Sequence, residues 1–247
     1  MFSKNIKLKI FYLKKKNLKV KKILISLIKK YDETLKSLSA NYKDTFNKES
    51  IKKLQKFKDI RIIGMGGASL GAKAIYDFLS FRIKKKFDFH NNLKINNHKN
   101  LDKKKLNVII SKSGETIETI VNANILIKKK DKNLFIIGKK NSHLYKLANK
   151  LKSEILIHND FIGGRYSVLS EVGMLPAQLM GLNYKKFRQL NELIKNKNFL
   201  NSLISNVSFC LSLIKNKKFN SVIINYDQDS QSLFYWYQQL VAESLGK

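Results

Sequence analysis

The chain has 247 residues, and its 43% of apolar side chains can bury a core, which excludes a chain that is disordered over long stretches. Its formal net charge is +31, from 49 basic and 18 acidic residues. The lysines are spread along the chain in pairs and triplets, a distribution that favours solvated helix and loop faces over a specific nucleic-acid-binding stripe. An anionic ligand would still be attracted.

Cysteine, histidine and hydropathy patterns limit the class of protein further. Cys210 is the only cysteine, which rules out an internal disulfide and a multi-cysteine metal site, and its apolar neighbours predict a buried side chain. The four histidines lack metal-ligand spacing and are predicted as loop or surface residues, so we expect no metal. No apolar run is long enough for a bilayer, and "KKILISLIKK" favours an amphipathic helix over a signal peptide. We therefore expect a cytoplasmic protein without a membrane partner.

The predicted elements begin with a helical segment, residues 1–56, in which Leu24, Leu27 and Ile28 recur at helical spacing. Strand and helix patterns then alternate over residues 57–182. The predicted strands are 59–65, 107–111, 133–140 and 154–158. The predicted helices that follow them are 69–83, 115–129, 142–151 and 168–182. This alternation predicts an α/β domain: a doubly wound parallel sheet that binds its ligand beyond the carboxyl ends of the strands.

The remainder of the chain repeats this pattern once. Residues 183–220 are predicted as a helical connection rich in Lys and Asn. After it, "NSVIINY" is predicted as a strand and residues 230–247 as a helix. We therefore interpret residues 221–247 as the first strand–helix unit of a second, incomplete α/β domain.

The first candidate ligand site is "GMGGASLG", residues 64–71, directly after the first predicted strand. Its glycines allow the backbone to approach a ligand, and the helix that follows favours an anion at its N-terminus. A dinucleotide fingerprint starting at Gly64 would need glycine where Ser69 stands, which argues against a nicotinamide cofactor. By itself the loop fits a phosphate site and a tight strand–helix turn about equally.

The second candidate is "SKSGET", directly after the second predicted strand. Ser111, Ser113 and Thr116 offer hydroxyl groups, Lys112 offers a positive charge, and Gly114 frees the backbone. Hydroxyls and amides at the start of a helix suit a phosphate monoester. The alternative is a simple helix cap, but two such loops at the ends of adjacent parallel strands favour a ligand.

Two further candidates lie later in the chain. Arg165, in "GGRYS", could stabilise an oxyanion or a phosphate, although alone it is read as a surface arginine. Gln239 and Glu243 lie four residues apart, on one face of the last predicted helix. Glu243 is a candidate general base, although a lone glutamate on a helix is usually just solvated.

Taken together, four segments resemble the phosphoglucose isomerase family, whose members are built from two sugar-isomerase (SIS) domains. The segments occur in the order of that family, with compatible spacing, and the resemblance runs from about Asp59 to the last residue. They are "GMGGASLGAKA", "SKSGETIET", "GGRYSVLSEVG" and "WYQQLVAESLGK". "SKSGET" alone would indicate only the broader SIS superfamily, whereas the four together are highly specific.

The resemblance implies an aldose–ketose isomerase without a metal or organic cofactor, whose substrate is a sugar phosphate. The substrate phosphate would be held by four residues of the second loop, Ser111, Lys112, Ser113 and Thr116. Gly67 and Ala68 would line the sugar; the family often has Ser where Ala68 stands. The resemblance also implies catalytic roles for Arg165, which would stabilise the enediolate, and Glu243, which would shuttle the proton. Gln239 would orient the substrate.

The resemblance further implies that the chain ends where family members continue. The rest of the second SIS domain would supply a ring-opening His from the partner subunit and a Lys on a late helix. None of the four histidines follows Glu243. We therefore expect a truncated isomerase that is poorly stable and weakly active or inactive, and a homodimer once the second domain is complete.

Two other functions stay open at this stage. The first is a non-catalytic SIS-type module that binds a sugar phosphate, for which Glu243 and Gln239 would be unnecessary. The second is a basic nucleic-acid binder, which rests on charge alone and would show affinity that falls steeply with salt.

Overall fold

The computed structural model describes residues 17–93, 105–128, 130–218 and 220–246. The helical prediction for residues 1–16 therefore lies outside the described residues. The chain forms two compact units. One contains the described residues before Tyr42 together with Arg188–Ile224, and the other contains Tyr42–Phe187 together with the described residues from Asn225 onwards.

The bounds of the described elements are as follows. The helices are α1 (Leu18–Lys30), α2 (Glu33–Ser37), α3 (Lys48–Gln55), α4 (Leu70–Phe78), α5 (Ile117–Leu126), α6 (His143–Lys150), α7 (Glu171–Leu179), α8 (Leu190–Lys195), α9 (Lys197–Lys215) and α10 (Gln231–Leu245). The strands are β1 (Asp59–Ile63), β2 (Lys86–His90), β3 (Leu106–Ser111), β4 (Lys132–Ile137) and β5 (Glu154–Ile157). The first unit contains α1, α2, α8 and α9, whereas the sheet, α10 and the other helices belong to the second unit.

The sheet confirms the predicted fold class. Its strand order is β2-β1-β3-β4-β5 and every neighbouring pair is parallel. The four predicted strands correspond to β1, β3, β4 and β5, and the structure adds β2 at one edge. In β2, "KFDFH" alternates aromatic and polar residues, as expected of an edge strand with one buried face.

Alternate residues of each central strand pack on opposite faces of the sheet. Ile110 and Ile136 belong to one buried cluster, with residues of α3 and α7. Ile109 and Ile137 belong to the other, with residues of α5 and α6. Each fully buried Ile contributes about 1.5–3 kcal/mol relative to an exposed one. Burial on both faces explains why these strands are continuous apolar runs in the sequence. Because neighbouring strands are parallel, their carboxyl ends lie at one edge of the sheet.

Two predictions made from local pattern are wrong. "NSVIINY" forms no strand among the described residues, and Val222, Ile224 and Tyr226 are exposed, because an isolated strand has no neighbour to pair its backbone groups. Cys210 is exposed, since the buried side of α9 carries Ile204 and Ser208 instead. His158 lies in the loop directly after β5, in keeping with its prediction as a loop or surface residue, and its side chain is buried.

None of the helices in the described residues combines the length and the apolar character that a bilayer span requires.

Candidate active site

The loop after β3 gathers hydroxyl groups at the start of α5. Ser111 is the last residue of β3 and Thr116 precedes the first residue of α5. The Thr116 Oγ1 atom lies 3.1 Å from Ser111 Oγ and 3.4 Å from Ser113 Oγ. Among the described contacts of Thr116, none is a side-chain cap of the α5 amides. The Ser111 and Ser113 hydroxyls also accept hydrogen bonds from the Gly114 and Glu115 amides, at 3.0 and 3.1 Å, so the three hydroxyls cluster directly before the N-terminus of α5.

This hydroxyl loop, residues 111–116, is held by the turn that follows β4. The Lys112 carbonyl oxygen accepts hydrogen bonds from the amides of Gly138 and Lys139, both at 3.0 Å. The Gly114 carbonyl accepts from the Leu144 amide at 3.1 Å. Gly114 has a φ of +66°, and a Cβ there would overlap the Ser142 side chain, so the position requires glycine. Backbone hydrogen bonds and close packing thus fix the conformation of the loop.

A cavity of about 620 Å³ opens above this loop. Six of the predicted substrate-binding residues line it: Gly67, Ala68, Ser111, Lys112, Ser113 and Thr116. Lys139 and Asp160, at the carboxyl ends of β4 and β5, line it as well. The sequence did not single these two out, although the rule that ligands bind at the carboxyl ends of parallel strands could have identified them.

The glycine loop after β1 lies against two other parts of the site. A Cβ on Gly67 would overlap the backbone of Gly164, which immediately precedes Arg165. Gly66 has a φ of +55°, and a Cβ there would lie 2.7 Å from Nε2 of Gln239. The glycines are therefore required for close packing with the Arg165 loop and with α10, as well as for access to the cavity.

Arg165, Gln239 and Glu243 form a cluster on the other side of this glycine loop. Gln239 Nε2 donates to Glu243 Oε1 at 2.7 Å, and Arg165 Nη1 lies 3.5 Å from Glu243 Oε2. The Arg165 Nε atom donates to Ser244 Oγ at 3.1 Å. The guanidinium also lies over the Tyr166 ring, 4.8 Å from its centroid. Ser244 and Tyr166 were not predicted as site residues; both are sequence neighbours of predicted ones.

The contacts of the cluster shift two pKa values in opposite directions. The hydrogen bond with Tyr166 is the largest influence that raises the pKa of Arg165, and the charge and hydrogen bond of Glu243 act in the same sense. The hydrogen bond with Ser244, followed by that with Arg165, lowers the pKa of the Tyr166 hydroxyl. Arg165 therefore keeps a permanent positive charge beside the Glu243 carboxylate.

Gln239 and Glu243 line a second, more polar cavity of about 880 Å³. Met65 lines both cavities, so the two are adjacent and meet at the glycine loop. A ligand whose phosphate lies on the hydroxyl loop could extend past Gly67 towards the Arg165–Glu243 pair. The structure thus brings all nine predicted site residues to one region of the second unit.

Helix α10 is anchored to α4 near its first turn. The Asp77 carboxylate of α4 accepts a hydrogen bond from the buried Ser232 hydroxyl, and it pairs with Lys73 at 2.6 Å. Because Ser232 lies at the beginning of α10, this contact fixes the helix that carries Gln239 and Glu243.

Fold and site together define a class of protein: a parallel α/β domain with an anion-binding loop at the carboxyl edge of its sheet and a guanidinium–carboxylate pair beside it. The phosphoglucose isomerase family matches residues 14–247, and the chain belongs to this family.

Individual relatives agree with this assignment. A glucose-6-phosphate isomerase of Acholeplasma laidlawii is 34% identical over 240 residues, which cover 82% of this chain and 55% of that protein. One of Methanocaldococcus jannaschii is 30% identical over 222 residues, which cover 81% of this chain and 54% of that protein. The chain thus spans about half the length of the curated relatives it matches.

A solved structure shows the same fold. A hypothetical protein of Thermus thermophilus superposes with a TM-score of 0.73 at 21% identity, over 93% of this chain and 60% of that one.

Proposed function

We propose that this chain is the catalytic part of a glucose-6-phosphate isomerase, which interconverts glucose 6-phosphate and fructose 6-phosphate in glycolysis and gluconeogenesis. The observation that carries the proposal is the Arg165–Glu243 pair beside a cavity lined by the hydroxyl loop. The names of the relatives support the same substrate. A binding module alone would not need a carboxylate held in this position.

The hydroxyl loop binds the phosphate of the substrate in this proposal. Ser111, Ser113 and Thr116 donate from their hydroxyls, the first amides of α5 point at the anion, and Lys112 adds a positive charge. Gly67 and Ala68 line the sugar. The strong positive charge of the chain increases the local concentration of an anionic substrate.

Glu243 acts as the base on the open-chain sugar. Its carboxylate removes the proton from C2 of the aldose, the C–H electron pair forms the C1–C2 double bond, and the carbonyl electron pair moves to O1. Arg165 stabilises the resulting enediolate. The proton of the C2 hydroxyl passes to O1, and Glu243 returns its own proton to C1 as the C2 oxygen becomes the carbonyl, so atoms and electrons balance. Gln239, bonded to Glu243, orients the base and the substrate.

The remaining parts of the proposal concern the complete protein. Ring opening requires a further acid–base group, which the family resemblance assigns to a His of a partner subunit. A chain with the complete second domain would therefore act as a homodimer. A single cysteine is compatible with a reducing, cytoplasmic compartment.

The test is isomerase activity of this chain, produced in a host that lacks its own isomerase. Fructose 6-phosphate is supplied, and glucose 6-phosphate is detected with a coupled dehydrogenase. We expect Glu243→Gln to lower kcat by about 100- to 10,000-fold, the range for loss of a general base. Glu192→Gln, at a glutamate whose side chain is 77% exposed, is the matched control and should have no effect.

Calorimetric titration with glucose 6-phosphate separates the outcomes. Binding that survives Glu243→Gln, together with turnover only in the wild type, supports the proposal. Binding without turnover in either form would point instead to a sugar-phosphate-binding module. A chain that neither binds nor converts the sugar phosphate would contradict the proposal.

A further inference from the structure

Two buried ionisable side chains join the ends of the segment that carries Arg165. His158 follows β5 directly and Glu171 is the first residue of α7. The His158 Nδ1 atom lies 2.5 Å from Glu171 Oε1, and the two side chains are 2% and 0% exposed. Neither residue touches the two cavities of the site. The pair thus closes residues 159–170, which we call the arginine loop, at its base.

The contacts of the pair determine its protonation. The His158 Nε2 atom faces the carbonyl oxygen of Ile162 at 3.3 Å, and a carbonyl can only accept a hydrogen bond. The Nδ1 atom faces the carboxylate, which also accepts. Both ring nitrogens therefore face hydrogen-bond acceptors, an arrangement that a ring with two N–H groups satisfies.

The carboxylate of Glu171 is fixed by several donors. The Asn159 amide donates to Oε1 at 3.4 Å, and the Tyr42 hydroxyl donates to Oε2 at 3.1 Å. Burial alone would raise the pKa of Glu171, but the hydrogen bond and charge of His158, a backbone hydrogen bond and Tyr42 outweigh burial and lower it. Glu171 is therefore ionised, and the pair is a buried salt bridge.

Hydrogen bonds from serine side chains to backbone carbonyls stabilise the inside of the arginine loop. The Ser167 hydroxyl donates to the Gly164 carbonyl at 2.6 Å, and the Ser170 hydroxyl donates to the Ser167 carbonyl at 2.6 Å. A Cβ on Gly173 would overlap the Val168 carbonyl, so α7 and the loop are packed backbone to backbone. These contacts connect α7 to Gly164, the residue directly before Arg165.

We propose that His158 and Glu171 are the positioning pair of the arginine loop, and that their buried salt bridge holds the Arg165 guanidinium beside Glu243. For the isomerase reaction this inference rests on the proposed function. Neither residue touches the substrate; both act through Arg165. A hydrogen-bonded charged pair favours one separation and one angle between the two loop ends. An apolar contact at the same place would not set their relative orientation.

The first test needs no turnover and no variant. The ring nitrogens of His158 are observed by heteronuclear NMR on the folded wild-type chain at neutral pH. Two protonated nitrogens are expected. A neutral ring with one unprotonated nitrogen would overturn the proposal.

The second test measures the effect on Arg165. In the wild type the Arg165 Nε–H should give an NMR signal that exchanges slowly, because it donates to Ser244. We expect this signal to be lost in folded Glu171→Gln while the Gly114 amide signal of the hydroxyl loop is retained. Loss of neither signal, or of both together, would overturn the proposal. A chain without isomerase activity can still be tested in this way.

The third test applies where turnover is measurable. Because the phosphate site is untouched, Glu171→Gln and His158→Gln should each lower kcat by about 10- to 100-fold with KM changed less than about twofold. The double variant H158Q/E171Q removes both charges and restores an uncharged hydrogen bond, so part of kcat should return. Glu192→Gln is the control. A rise in KM at constant kcat, or additive losses in the double variant, would overturn the proposal.

Discussion

Arg165 makes contacts that a lysine cannot reproduce. Its planar guanidinium stacks on Tyr166, donates from Nε to Ser244 and faces Glu243 from Nη1. Lysine keeps the charge but loses this geometry. We expect Arg165→Lys to lower kcat by about 100-fold, as for the loss of an oxyanion donor, with little change in the binding of glucose 6-phosphate.

Kinetics with fructose 6-phosphate and calorimetric binding of glucose 6-phosphate check this prediction. Arg82→Lys, at an exposed arginine outside the two cavities, is the matched control. Equal losses of kcat and of binding affinity would contradict it, because they would make Arg165 a ligand of the phosphate.

At the residue scale, the sequence predicted those site residues that lie in continuous motifs. The hydroxyls of residues 111–116 follow a strand, and Gln239 and Glu243 share one helix face, so local spacing made them candidates, and the family resemblance supplied the roles expected of them. The His158–Glu171 pair could not be predicted, since it depends on how β5 and α7 pack. Histidine at a strand end has no local signal that separates a buried ion pair from a loop residue.

At the scale of elements, the position of Glu243 depends on how α10 is anchored. The buried Ser232 hydroxyl donates to Asp77 of α4. We expect Ser232→Ala to lower the free energy of unfolding by about 1.5–3 kcal/mol, since a hydrogen bond to a charged group is lost. Trp236 is the only tryptophan and lies in α10, so urea unfolding followed by its fluorescence reports this change.

The control for this prediction is Ser26→Ala, at an exposed position of α1, which should change the free energy of unfolding by less than about 0.5 kcal/mol. A Ser232→Ala chain as stable as the wild type would show that the Asp77 contact does not hold α10.

The same scale shows where prediction of the fold from sequence stops. Buried strands such as β3 and β4 were predicted because a short continuous apolar run between two loops is typical of a strand that is buried on both faces. Strand β2 was not predicted because Phe87 and Phe89 are its only apolar residues and lysines precede them. "NSVIINY" has strand composition but no strand, because pairing depends on a neighbour and not on propensity.

At the scale of the whole molecule, the His158–Glu171 pair links stability to pH. Its hydrogen bonds and charge lower the Glu171 pKa in the folded state despite burial. The ionised carboxylate therefore adds stability that is fully present above the unfolded-state pKa of about 4.3 and is lost as pH falls through the lower folded-state pKa. In Glu171→Gln this contribution is absent.

We therefore expect Glu171→Gln to be less stable than the wild type by about 3–5 kcal/mol at neutral pH, the cost of breaking a buried ion pair. As pH falls from about 4.3 through the lower folded-state pKa of Glu171, the wild-type carboxyl becomes neutral and resembles glutamine, so the difference should shrink over that range. Urea unfolding of both chains between neutral and acid pH measures it, with Glu192→Gln as the exposed control. A difference that stays constant over this range would mean that the ionised carboxylate contributes nothing, and that the variant acts only through the shape of its side chain.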